Sequence, residues 1–98
     1  MVNQRSELEL AFDAAIAQTR KYLDAGLAAA NGESARPRLE KLDIDLQQQR
    51  DRAVETGAID QQWLQTTVRE IVNWLPESEL TLIAALGRIA RAKPRSIS

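Results

Sequence analysis

Apolar residues recur along most of the chain at intervals of three and four, the spacing that places them on one face of an α-helix. Alternation of apolar and polar positions, which is typical of a half-buried strand, never persists, and no hairpin turn joins two such runs. The pattern therefore predicts an all-α protein of about four helices. We expect these helices at residues 6–31, 35–56, 60–75 and 78–93, with loose ends at 1–5 and 94–98.

The first predicted helix begins at Ser6, because Ser6 and Glu9 have the spacing of a capping box. It is predicted to end at Asn31 and Gly32, since both residues tolerate the left-handed conformation that closes a helix. Between these points the apolar stripe is long and regular, which favours one continuous helix. The stripe consists of Leu8, Phe12, Ala15, Ile16, Thr19, Leu23, Gly26, Leu27 and Ala30.

Proline, glycine and aspartate divide the remainder of the chain into three further helices. Pro37 fits a first turn, where its missing N–H would have no intrahelical partner, and Gly57 is predicted to end that helix. Asp60 is placed to cap the third helix, and Pro76 ends it because proline disfavours helical geometry at the preceding residue. Pro94 follows the fourth helix in the same way.

Connections of about two to six residues favour antiparallel neighbours, so the chain is expected to form one domain over residues 1–98 as an up-and-down four-helix bundle. Paired helical hairpins in a dimer are the competing arrangement. A chain of 98 residues that is 44% apolar can fill only a small core. Because oligomerisation is one usual remedy for a small core, we expect a homodimer.

The sequence contains neither cysteine nor histidine, so thiolate nucleophiles, cysteine metal sites and the commonest general base are excluded. We therefore expect no catalytic residue, no metal site and no cofactor. The first residues do not resemble a secretory signal, and the longest apolar run, five residues at 82–86, predicts no transmembrane segment. These features favour a cytoplasmic location.

Paired carboxylates are the remaining candidates for catalysis, because two acids three or four residues apart share a helical face and can ligate magnesium. A helical hydrolase with such a site is therefore one possible function. The pairs alternate with arginine and lysine, however, as on an ordinary solvated face, and we expect the protein not to be an enzyme. They are Glu9/Asp13, Glu40/Asp43 and Asp51/Glu55.

Two tryptophans on the third helix, Trp63 and Trp74, are eleven residues apart and should point within about 20° of each other. Glu70 lies on the same strip, which runs beside the main apolar stripe of that helix. The indoles either close the rim of the core or form a surface for a partner or a second copy, since aromatic residues are enriched at binding hot spots. Ile44, flanked by two aspartates on the second helix, is a further candidate contact.

Basic residues are concentrated at the C-terminal end, where residues 80–98 contain four cations and no acid. Arg88, Arg91 and Arg95 would fall within about 60° of one another on a continuous helix. This strip favours a cationic outer face, an amphipathic segment at an anionic membrane, or contact with nucleic-acid phosphates. Our leading hypothesis is a helical adaptor, regulator or assembly factor that binds another protein and itself. The alternative is a small nucleic-acid-binding regulator that uses this basic segment.

Overall fold

The computed structural model describes residues 7–76 and 79–92. These residues contain four helices, numbered here in chain order: α1 (Glu7–Ala25), α2 (Arg36–Thr56), α3 (Gln61–Trp74) and α4 (Thr81–Arg91). Within the same residues the β-structure is limited to an isolated antiparallel bridge between Ala28 and Ser34. The predicted all-α class is thus confirmed. None of the four helices has the length and apolar character required to cross a membrane.

The first helix ends at Ala25, six residues before the predicted end, so that part of the prediction is wrong. Gly26 adopts a left-handed φ of 67° and donates its N–H to the carbonyl of Leu23 at 3.2 Å. Leu27 donates to the carbonyl of Tyr22 at 3.1 Å, which completes a Schellman motif. Gly26 is therefore a helix stop, although the apolar spacing that continues beyond it had indicated a position inside the helix.

The connection between α1 and α2 is held by its own hydrogen bonds and by one to α3. The Ala29 N–H donates to the carbonyl of Glu33 at 2.7 Å, which closes a tight loop. The Ala30 N–H donates to the carbonyl of Trp74, also at 2.7 Å. This second bond fixes the C-terminal end of α3 beside the start of α2.

The predictions that Gly57 ends α2 and that Asp60 is the N-cap of α3 are confirmed. Gly57 has a left-handed φ of 78° and donates its N–H to the carbonyl of Ala53 at 2.7 Å. The Asp60 carboxylate accepts the N–H of Trp63 at 3.0 Å, the bond expected of an N-cap. Both residues had been identified from the sequence as helix boundaries. Gly57 ends α2 through its left-handed conformation, and Asp60 caps α3 through its carboxylate, as their residue types had indicated.

Helix α4 begins at Thr81 rather than at residue 78 and ends at Arg91 rather than at residue 93. The Glu79 N–H donates to the carbonyl of Pro76 at 2.9 Å, and Glu79 and Leu80 precede the first residue of the helix. The predicted start at Ser78, the capping role of Ser6 and the loose ends at 1–5 and 94–98 lie outside the described residues.

The helices alternate in direction, as in an up-and-down bundle. Trp74, at the end of α3, lies beside the α1–α2 connection, whereas Leu8, Ile59 and Ala92 line a small cavity of about 210 Å³ at the opposite end. Helix α1 packs against α2 on one side and α4 on the other. Among the described helices, α3 approaches closely only α4, and its backbone stays away from α2. Around the bundle, the helices therefore follow the order α2, α1, α4, α3.

Small side chains allow α1 to occupy the centre. Ala11 and Ala15 are completely buried, and so is Thr19, whose hydroxyl donates to the carbonyl of Ala15 at 2.8 Å. Large side chains from three helices fill the space around them. The largest fully buried apolar residues are Phe12, Leu39, Leu46, Leu82, Leu86 and Ile89.

Candidate functional site

An open groove separates α2 from α3, in the place where a tightly packed bundle would bring these two helices together. It encloses about 510 Å³. The hydrogen bond from Ala30 to Trp74 closes one end of the groove, because it joins the end of α3 to the connection that precedes α2. We refer to this feature as the α2/α3 groove. Its lining residues are Asn31, Arg38, Lys41, Leu42, Asp45, Thr67, Glu70, Ile71, Asn73 and Trp74.

The floor of the α2/α3 groove is apolar and its rims are charged. Leu42, Ile71 and Trp74 are all buried and form the floor. Arg38 and Lys41 are exposed on the α2 rim, and polar side chains of α3 face them across the opening. An apolar centre with a polar rim is the arrangement found at protein-binding surfaces.

The structure separates the two tryptophans that the sequence places on one strip. Trp74 is 9% exposed and lies in the α2/α3 groove, whereas Trp63 is half-buried, packs against the core and is not part of the groove lining. Glu70 is exposed on the α3 rim, so the groove brings Glu70 and Trp74 together. Ile44 is 56% exposed and lies outside the groove lining.

The basic candidates lie at the C-terminal end of α4. Arg88 and Arg91 are both exposed in the last turn of the helix, and Arg95 lies outside the described residues. The guanidinium of Arg91 folds back along α4 toward Gly87. A Cβ atom built on Gly87 would lie 3.2 Å from the nearest guanidinium nitrogen.

A second groove, between α3 and α4, was not found by sequence reasoning. It encloses about 430 Å³, and we refer to it as the α3/α4 groove. Two signals in the sequence point to it: valines at 68 and 72, one helical turn apart, and a glycine inside the apolar part of α4. Its lining residues are Gln61, Leu64, Gln65, Val68, Arg69, Leu86, Gly87 and Ala90.

Acidic residues of the candidate carboxylate pairs contact cations between α1 and α2. Asp43 accepts a hydrogen bond from Arg20 at 3.3 Å and another from Gln47 at 3.2 Å. Asp13 accepts one from Arg50 at 2.9 Å. Over residues 7–76 and 79–92, acidic side chains do not gather in groups of three or more that could hold a metal ion.

Comparison of the chain with protein-family models, with curated proteins and with solved structures gives no match.

Proposed function

We propose that this chain is a non-enzymatic protein-binding module, an adaptor, regulator or assembly factor, that also associates with itself. The observation that carries the proposal is the α2/α3 groove, in which the buried side chains of Leu42, Ile71 and Trp74 underlie a charged rim. Two helices with an apolar floor between them provide the surface used in helix-in-groove recognition. Tryptophan is also among the residues enriched at binding hot spots.

The chemistry of the groove favours a protein over a small molecule as its occupant. Small-molecule sites combine an apolar cavity with a few polar groups that converge on the ligand. Here the floor side chains are apolar, whereas Arg38, Lys41 and Glu70 stand on the exposed rims. Long, exposed side chains of this kind suit the polar edge of a macromolecular interface.

The charges on the two rims are arranged so that a second copy could pair with the first. The α2 rim contains Arg38 and Lys41 beside the half-buried Asp45, and the α3 rim contains the exposed carboxylate of Glu70. A two-fold axis parallel to the groove would place α2 of each copy over α3 of the other, which sets cations against the carboxylate twice.

Molar mass in solution, measured by light scattering, tests self-association. We expect twice the chain mass of 10.9 kDa for the unaltered protein. Glu70→Arg places like charges on facing rims and should give the monomer mass. Asp24→Arg makes the same charge change at an exposed position near the end of α1, outside the groove lining, and should leave the dimer intact.

Photo-cross-linking in cells tests protein binding in general, including binding to partners other than a second copy. A photoreactive phenylalanine derivative at position 70 should give covalent protein adducts, and the same group at exposed position 24 should give none above background. Adducts to another protein support the module, and adducts to a second copy support self-association. A groove position that yields no adduct of either kind would overturn the proposal.

A further inference from the structure

The α3/α4 groove has an apolar floor that extends into exposed surface. Leu64 and Leu86 are buried beneath it, and Val68 is half-buried on its α3 side. Val72 follows Val68 by one helical turn and is 59% exposed. The apolar strip on α3 therefore continues past the groove lining into solvent.

The α4 side of the same groove shows a similar continuation. Leu80 has helical dihedral angles, is 64% exposed and precedes Gly87 by seven residues, so the two lie within about 20° of each other around the helix. Among the residues that the structure describes, Leu80 and Val72 are the two most exposed large apolar side chains. Helical spacing places Val72 next to Val68 and Leu80 in register with Gly87, so each extends a helix face that lines the groove.

Gly87 lies inside α4, where glycine weakens a helix relative to alanine. Its φ is not positive, unlike that of Gly26, Gly32 and Gly57, so backbone conformation does not require it. Within 4 Å, an added Cβ would meet only the flexible end of the Arg91 side chain, so close packing inside the chain does not require it either. A glycine at this position leaves its backbone covered only by the flexible end of the Arg91 side chain, which a ligand can displace to approach closely.

The charges bordering the α3/α4 groove are positive. Arg69 lines it, and the Arg91 guanidinium stands over Gly87. In the part of the chain that the structure describes, neither arginine takes part in an ion pair. None of the described side chains lining the groove is acidic. The edge therefore offers two cations to an incoming partner.

We infer that the α3/α4 groove is a second docking site, which takes an amphipathic helix with acidic flanks from a partner protein. The inference rests on the proposed function in assuming that the chain acts by binding proteins, but it concerns the opposite flank of α3. Apolar side chains of the incoming helix would lie over Val68, Val72 and Leu80. Its glutamates or aspartates would pair with Arg69 and Arg91, which complements the charge of this edge.

A nucleic acid fits this surface less well than an acidic helix. Phosphate contacts need cations, but here the cations flank an exposed apolar strip. A phosphate backbone would leave that strip uncovered. Single-stranded nucleic acids stack their bases on aromatic side chains, and the described lining of this groove contains none. The combination of Val72, Leu80 and two arginines matches an amphipathic helix instead.

The test uses an 18-residue fluorescent helical peptide with leucine along one face and glutamate on both flanks. Its control is the same peptide with lysine in place of glutamate. We expect fluorescence anisotropy to show binding of the glutamate peptide to the full chain, weakened as salt is raised. The lysine peptide should bind at least about tenfold more weakly, because it meets two arginines with like charge.

Amino-acid substitutions show where on the protein the glutamate peptide binds. Arg69→Glu combined with Arg91→Glu should abolish binding of the glutamate peptide, whereas Arg36→Glu combined with Arg52→Glu, on α2, should leave it unchanged. Gly87→Leu should block binding because its side chain fills the space that the glycine leaves in the groove. If that variant does not fold, as judged by circular dichroism, the arginine variants decide the matter.

Several outcomes would overturn the inference. One is equal binding of both peptides, and another is binding of the glutamate peptide that survives the Arg69→Glu and Arg91→Glu substitutions. A third is a 20-base-pair DNA duplex that binds more tightly than the peptide and is lost on the same two substitutions. A dimer that dissociates on the Arg69/Arg91 reversal would identify a second copy as the occupant instead. Loss of peptide binding alone, with adducts still formed at position 70, would leave the proposed function standing.

Discussion

Helices α1 and α3 differ in how much of their apolar surface the fold covers. Helix α1 lies between α2 and α4 and buries seven of its 19 residues, including the small side chains of Ala11 and Ala15. Helix α3 buries three of its 14 residues and, of the other three described helices, approaches closely only α4. Its apolar arc is nevertheless broad, so it borders a groove on each flank.

This difference separates the part of the molecule that stabilises the fold from the part that remains available for binding. Alanines in α1 let two neighbouring helices approach, and the packing they permit uses the whole face of α1. On α3, however, Trp63 and Val68 are only half-buried and Val72 is exposed, so apolar surface remains next to charged rims. Binding surfaces are expected in such less enclosed elements, because covering them is not required for folding.

The largest expected effect comes from deleting a core side chain on α1. Phe12 is almost completely buried, and Phe12→Ala should lower the free energy of unfolding by about 3–5 kcal/mol because it removes apolar contacts and leaves a cavity. Val72→Ala, on the exposed edge of α3, should change it by less than about 0.5 kcal/mol. Urea unfolding followed by circular dichroism measures both, and similar losses would remove the distinction between the two helices.

Two glycine substitutions should act in opposite directions. Gly57→Ala forces a left-handed φ on alanine at the end of α2 and should cost about 1–2 kcal/mol. Gly87→Ala improves helix propensity on the open side of α4 and should stabilise the protein by about 0.5–1 kcal/mol. Melting temperatures of the two variants provide the comparison. A destabilised Gly87→Ala variant would show that the glycine has a packing role within the fold.

A smaller contrast is expected between two ion pairs. Arg50→Ala removes a 2.9 Å contact with Asp13 that joins α1 to α2 between partly buried side chains, and should cost about 1 kcal/mol. Arg36→Ala removes an exposed 3.6 Å contact with Glu40 inside α2 and should cost less than about 0.5 kcal/mol. Denaturant midpoints at low and high salt would check both values. Equal effects would show that the Arg50–Asp13 pair, which joins α1 to α2, stabilises the protein no more than an exposed pair within one helix.

The helices and most of their ends could be predicted from the sequence because local chemistry determines them. Gly57 and Asp60 end and begin helices through bonds within a few residues of themselves. The early end of α1 was missed because Leu27 and Ala30 keep helical spacing after Gly26. The Ala30 N–H donates instead to the carbonyl of Trp74, a contact between segments far apart in the sequence.

The candidate site could be predicted only in part. Glu70 and Trp74 were identified together from their spacing on one helix, and both line the α2/α3 groove. The sequence does not reveal which helices are neighbours, so neither groove could be located by periodicity alone. Arg69 was missed for the same reason, because a single exposed arginine becomes notable only when α4 lies beside it.

Hydrogen exchange measured by mass spectrometry on the native protein tests most directly whether α3 is the loosely enclosed helix. Amides of α1 between Ala11 and Thr19 should exchange only through global unfolding, and Phe12→Ala should accelerate them. Amides in the middle of α3, around Val68, should exchange faster through local opening and should respond less to Phe12→Ala. Equal protection of the two helices, lost together in the Phe12→Ala variant, would contradict the account.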